Sequence, residues 1–123
     1  MQISAAESVI MEALWRRQPL TADEVIAEVA AAQDWSAPTV RTLLNRLLTK
    51  QAVSAERIGR RYLYRPLLER AKYVNEESRS FIDRMFDGRV ASLITHFSER
   101  EQLSAEDIAE LRRLVEEFDD DKH

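Results

Sequence analysis

The sequence predicts a mainly α-helical protein with one small β-hairpin. Up to Lys50, apolar residues recur three and four apart behind side chains suited to cap helices. Between Val53 and Tyr64 the period changes to two, around Gly59. From residue 69 to residue 118 the helical spacing returns. Composition agrees, since 45% apolar and 33% charged residues are ordinary for a soluble, helix-rich chain.

Ser4-Ala5-Ala6-Glu7 is a capping box: the Ser4 hydroxyl can accept the backbone N–H three residues on, and Glu7 can reach back. Ala6, Val9, Ile10, Ala13 and Leu14 follow at helical spacing, and Arg16 and Arg17 suit the negative end of the dipole. The pattern predicts a helix over 4–17. Pro19 breaks the chain, and Thr21-Ala22-Asp23-Glu24 is a second capping box, with Val25, Ile26, Val29 and Ala30 as the buried stripe behind it. After the connector Gln33-Asp34-Trp35, Ser36 is a natural N-cap, and Pro38 sits in the first turn, where its missing N–H costs little. Val40, Leu43, Leu44, Leu47 and Leu48 mark one apolar face of a third helix. The short turn between the second and third helices suits a helix-turn-helix corner.

Val53, Ala55 and Arg57 then alternate with Ser54 and Glu56; Gly59-Arg60 turns, Tyr62-Leu63-Tyr64 reads as a second strand, and Pro66 ends it. Three helices in that order with a hairpin behind them make a winged helix-turn-helix domain, expected over 1–68. A helical region is expected over 69–123. Its stripes are Tyr73, Val74, Phe81, Ile82, Met85 and Phe86; then, past Asp87-Gly88, Val90, Leu93, Ile94 and Phe97; then Ile108, Leu111, Val115 and Phe118 behind Ser104-Ala105-Glu106-Asp107. Residues Asp119 to His123 are expected to fray.

Charge separates the two regions. Between Ser36 and Arg65 stand seven bases (Arg41, Arg46, Lys50, Arg57, Arg60, Arg61, Arg65) and one acid, Glu56, inside a chain of net charge −4. Residues 1–70 hold ten bases and eight acids, whereas 71–123 hold eight bases and fourteen acids. The reversal places positive potential where a polyanion could dock. With no cysteine there is neither a disulfide nor a thiolate metal site. The two histidines, His96 and His123, have no convincing carboxylate spacing around them, so no metal or other cofactor is expected. Gly59 and Gly88, the only glycines, form no phosphate-cradling loop, and no nucleophile elbow is present, so no catalytic residue and no enzyme is expected. No apolar run approaches the ~20 residues that span a bilayer, so no membrane insertion is expected. Met1-Gln2-Ile3-Ser4 lacks a signal-peptide pattern, and a cytoplasmic location is expected.

If Val40, Leu43, Leu44 and Leu47 face the core, then Thr39, Thr42, Asn45 and Arg46 face away, with Arg41 on the flank. Those side chains donate to phosphates and read base edges in a major groove. Alone, such a face is more often merely solvated; after two capped helices and before a basic hairpin, it favours double-stranded DNA. Arg57, Arg60 and Arg61 around Gly59 suit a wing against the DNA backbone or minor groove, or a charged edge hairpin guarded against aggregation. Trp15, Trp35, Tyr62 and Tyr64 could stack on bases, but aromatics beside apolar stripes usually fill cores. The C-terminal helices carry more large apolar side chains than an isolated arm can bury, which points to a second copy of the chain; folding back on the N-terminal domain is the alternative. Phe81, Met85, Leu93, Phe97, Leu111 and Val115 are the expected dimer-core residues.

Ala6-Glu7 through Leu14-Trp15, Trp35-Ser36, Thr39 through Leu47, and Arg60 through Pro66 resemble the penicillinase repressor family (BlaI, MecI and CopY-like). Phe86-Asp87-Gly88 and Leu103-Ser104 through Leu111 resemble its C-terminal half more loosely, so the likeness covers nearly the whole chain. The resemblance implies a homodimeric transcriptional repressor with a winged helix, a helical dimerisation arm and inverted-repeat operators built around TACA and TGTA. Family members often carry a basic residue early in the recognition helix where this chain has Pro38, so that phosphate contact is not expected here. The copper-responsive branch carries C-terminal cysteine pairs, absent here. The β-lactam-responsive branch fits better. Its known repressors are cut at an Asn-Phe bond after a membrane sensor-protease system is triggered, and the matching pair here is His96-Phe97. The expected function is therefore a dimeric DNA-binding repressor of β-lactamase or related genes. The alternative is a winged-helix module that binds another protein through its apolar C-terminal helices.

Overall fold

The computed structural model describes residues 1–121, which form six helices and a three-stranded antiparallel sheet. The chain divides into two compact units, Met1–Val74 and Asn75–His123.

The first unit contains α1 (Ala5–Arg16), β1 (Leu20–Thr21), α2 (Ala22–Ala30), α3 (Ala37–Thr49), β2 (Val53–Ile58), β3 (Arg61–Pro66) and the start of α4 (Arg70–Phe86). Both expected capping boxes form. Glu7 N–H donates to Ser4 Oγ at 3.0 Å while Ser4 N–H donates to Glu7 Oε1 at 2.8 Å. Thr21 and Glu24 repeat the exchange at 2.9 and 3.2 Å. Ile10, Met11 and Leu14 of α1, Val25 and Val29 of α2, and Val40, Leu43, Leu44 and Leu47 of α3 meet in one core, which Leu20, Ala52 and Val53 close from the sheet side. Ala30, which spacing places in the stripe of α2, is exposed at that helix's last position.

The α3 helix ends in a Schellman closure: Gln51 N–H reaches Leu48 O and Ala52 N–H reaches Leu47 O, with Gln51 at φ 63°. The hairpin pairs Val53 with Pro66 at one end and Ile58 with Arg61 at the other, so Gly59 and Arg60 make a two-residue turn. Gly59 takes φ 64°, the positive value a type II′ turn requires at its first central position. The sheet has one strand more than the sequence suggests. Leu20 pairs with Tyr64 and Thr21 with Leu63, which makes β3 the central strand in the order β1-β3-β2. Two residues carry no alternation, so β1 leaves no period to read.

Trp15 ties the start of α4 to this unit. Its Nε1–H donates to Leu68 O at 2.8 Å, and its ring lies 5.6 Å from that of Tyr73. Trp15, Trp35 and Tyr64 are half-buried against the core, as aromatics beside apolar stripes usually are; Tyr62 is exposed.

The second unit holds the rest of α4, α5 (Val90–Glu99) and α6 (Ala105–Asp121). Asp87 and Gly88, at φ 50° and 78°, end α4, and Gly88 N–H closes onto Ile82 O. Asp107 N–H donates to Ser104 Oγ at 3.0 Å and Ser104 N–H to Asp107 Oδ2 at 3.2 Å, so this pair caps α6 reciprocally. The helix runs on through Asp119, Asp120 and Asp121, where fraying was expected; Lys122 and His123 lie outside the described residues. No described residue of this unit is buried.

Candidate nucleic-acid interface

Helix α3 has two faces because its apolar residues fall three and four apart. Ser36 Oγ accepts from Thr39 N–H at 3.4 Å, Pro38 stands in the first turn, and the core takes Val40, Leu43, Leu44 and Leu47. Opposite them Pro38, Thr39, Thr42, Asn45 and Arg46 are all exposed, as is Arg41. A depression of about 270 Å³ brings Pro38, Thr39, Thr42 and Arg46 together, and a second, of about 330 Å³, continues along Asn45, Arg46 and Thr49. The hydroxyls on this face already have local partners. Thr42 Oγ1 donates to Pro38 O at 2.9 Å, and Thr39 Oγ1 lies 3.0 Å from Ser36 Oγ. With its proton committed to Pro38 O, the exposed Thr42 hydroxyl is left to accept, as from an exocyclic amine.

The cations divide into used and free. Lys50 turns inward: its Nζ donates to Glu7 Oε1 at 2.6 Å and to Gln2 O at 2.8 Å. Glu7 is only 1% exposed, and its Oε2 has no hydrogen-bond partner. Burial raises the Glu7 pKa, but the bonds from Lys50 and Ser4 outweigh burial and hold it below its ordinary value. Arg41 Nη2 lies 3.0 Å from Asp23 Oδ1, and Arg57 Nε donates to Gly59 O at 3.1 Å, folding that arginine over the wing tip. Arg46, Arg60, Arg61 and Arg65 make no ion pair among the described residues.

Arg41, Arg60 and Arg61 line one cleft of about 270 Å³, with the start of α2 (Thr21, Ala22, Asp23) on one side and Tyr62 and Tyr64 of β3 on the other. The residues expected to hold phosphates thus converge from the flank of α3 and from the wing. Nearby, hydrogen bonds from the backbone and hydroxyl of Thr21 hold Glu24 below the ordinary carboxylate range, with smaller help from Arg17 and Arg61. Sequence reasoning missed Asp23 as a neighbour of Arg41. Its position in a capping box suggested a purely local role, and an eighteen-residue separation carries no periodic signal.

In the second unit Phe81, Met85, Phe97 and Val115 are exposed, while Leu93 and Leu111 are half-buried. Ring contacts run from Phe81 to Phe86, from Phe86 to His96 and from His96 to Phe97, at centroid distances of 6.0, 5.9 and 5.4 Å. Leu111 and Val115 line an apolar recess of about 390 Å³ with Ile94, Leu103 and Ile108. The His96-Phe97 bond lies near the end of α5, and His96 O accepts from Arg100 N–H at 3.3 Å. No helix among the described residues is long and apolar enough to cross a membrane. Among those residues, no group of three or more His, Cys, Asp or Glu side chains could hold a metal ion.

Known proteins agree with this geometry. The penicillinase repressor of Bacillus licheniformis is 36% identical over 116 residues, covering 94% of this chain and 91% of its own. The methicillin resistance regulatory protein MecI of Staphylococcus aureus (strain N315) is 32% identical over 114 residues, covering 93% of each. Among solved structures, the DNA-binding domain of the repressor BlaI superposes with a TM-score of 0.54 at 35% identity, covering 58% of this chain and 88% of that one. The monomeric form of Bacillus licheniformis BlaI in complex with the blaP half-operator gives 0.53 at 34% identity, covering 59% and 89%. The family profile described as penicillinase repressor matches residues 3–117, and the chain belongs to that family.

Proposed function

We propose that the protein is a homodimeric transcriptional repressor that binds inverted-repeat operators, and that it controls β-lactamase or related genes. The observation that carries this reading is the two-faced α3: its core side is sealed, and its open side presents Thr39, Thr42, Asn45 and Arg46 next to a cleft of three arginines. In the proposed complex α3 enters the major groove, where Arg46 and the two threonines meet base edges. Pro38 packs at the groove rim without a charge. Arg41 from the helix flank and Arg60 and Arg61 from the wing hold backbone phosphates. The half-operator complex of BlaI supports this placement by relationship.

The arm supports the dimer. Three helices without one buried residue among those described leave Met85, Val115 and the Leu111 recess for a second copy, with Phe81, Leu93 and Phe97 in the same interface. Two linked winged helices then engage half-sites about one helical turn, roughly 34 Å, apart, and each raises the effective concentration of the other. Release follows from cutting the arm. A break at His96-Phe97, made by a sensor-protease system, separates α6 from the DNA-binding unit and removes that linkage without touching a DNA contact. The cut requires fraying of the last turn of α5, where Arg100 caps His96 O.

Mobility shifts with an inverted-repeat duplex built around TACA and TGTA, against a scrambled duplex across a salt series, test the reading. Sequence-dependent binding that falls steeply with salt is expected. Equal affinity for both duplexes would overturn it and leave a protein-binding arm as the better account.

A further inference from the structure

The cleft that gathers Arg41, Arg60 and Arg61 also holds a carboxylate. Asp23, in the first turn of α2, points across the helix-turn-helix corner to Arg41, Oδ1 to Nη2 at 3.0 Å. Both side chains are open to solvent, 82% exposed for Asp23 and 55% for Arg41, so the pair is accessible to an incoming phosphate. A negative charge in the first turn of a helix has a simpler use, since it complements the helix dipole. That use requires no partner on another helix. Glu24, beside it, already serves the capping box.

We infer that Asp23 is an affinity-setting residue for DNA: its carboxylate stands in for a backbone phosphate on Arg41 and so weakens binding to duplex of any sequence. The inference rests on the proposed placement of this cleft against the DNA backbone. An exposed ion pair is weak enough to be exchanged or shared on contact with DNA. A phosphate brought to the same guanidinium nevertheless meets the like charge of Asp23, and the cleft offers two uncompensated arginines instead of three. The contribution lost is independent of sequence, because phosphates carry no base identity. Asp23 therefore lowers operator and random-duplex affinity together, which keeps the protein from being held on bulk DNA by charge alone.

Asp23→Asn keeps the shape and the neighbouring Thr21–Glu24 exchange but removes the charge. In the full-length protein it should tighten both an inverted-repeat and a scrambled duplex by roughly two- to fivefold. It should also steepen the dependence of log K on log salt by about 0.9, the value of one further phosphate contact. In an Arg41→Gln background the same substitution should change both quantities far less, because Asp23 acts mainly through Arg41. A tightening that persists undiminished without Arg41 would overturn the inference, as would an Asp23→Asn protein that binds like wild type. Wild type that binds the inverted repeat selectively while Asp23→Asn changes nothing would sink the Asp23 assignment alone. Wild type that binds no duplex would sink the functional reading and this inference with it.

Discussion

Lys50→Met removes the ammonium that faces Glu7 while keeping an unbranched chain of similar reach. Glu7 Oε1 then loses its 2.6 Å partner and keeps only Ser4 N–H, Gln2 O loses its 2.8 Å donor, and a carboxylate 1% exposed stays in the core. Breaking a fully buried pair costs about 3–5 kcal/mol, and a hydrogen bond to a charged group contributes about 1.5–3. The Lys50 side chain is 36% exposed, so water replaces part of what it supplied, and about 2–3 kcal/mol is expected. For a folding unit of this size that lowers Tm by roughly 10–20 °C. Protonation gives the sign of the pH dependence. The folded pKa of Glu7 lies below its ordinary value of 4.5, so its contribution to wild type is complete above that pH and fades as pH falls through the folded value. In Lys50→Met burial still raises the pKa but Lys50 no longer opposes it, and taking up a proton relieves the variant. The gap between the two proteins should be widest at neutral pH and narrow below about pH 4.5. Thermal melts followed by circular dichroism at both pH values measure it. A difference within roughly 2 °C at neutral pH, or one equally wide in acid, would refute the reasoning.

Arg46→Ala should cost about 1–3 kcal/mol on an inverted-repeat operator and much less on random duplex, measured by fluorescence anisotropy; equal losses on both would remove Arg46 from base reading. Leu111→Asp places a charge in the apolar recess of the second unit, and sedimentation should show monomers whose first unit still melts cooperatively. A wild-type monomer at micromolar concentration would count against the proposed dimer. Gln51→Gly relieves a side chain held at φ 63° in the α3 closure and should stabilise the first unit by about 0.5–1 kcal/mol in urea denaturation. A loss of stability there would mean that the Gln51 side chain contributes more than its backbone strain costs.

What the sequence made legible was local. Ser4 with Glu7 and Thr21 with Glu24 each sit three residues apart, within the reach of one helical turn, and each pair bonds as its spacing predicts. The outward face of α3 was readable for the same reason, because Val40, Leu43, Leu44 and Leu47 dictate which way Thr42 and Arg46 must point. What escaped were meetings across the fold. Lys50 counts as one of the seven bases between Ser36 and Arg65, yet it lies against Glu7, forty-three positions away. Asp23 on Arg41, Trp15 on Leu68 and the two-residue β1 beside β3 are likewise products of tertiary packing. Neither hydrophobic period nor charge count records such pairings, and the charge that Arg41 presents in the arginine cleft depends on one of them.

From Asn75 onward no described residue is fully buried, so the apolar side chains of this arm are at most half covered by one another. In the proposed dimer its folding and its assembly become one equilibrium, governed by how much protein is present. Scarce chains then hold their arms open to proteases, and abundant ones shield each other. Lifetime rises with copy number, so dilution by cell growth depletes the protein faster than division alone. A gene held down by such a protein returns abruptly once synthesis stops, instead of along a simple exponential.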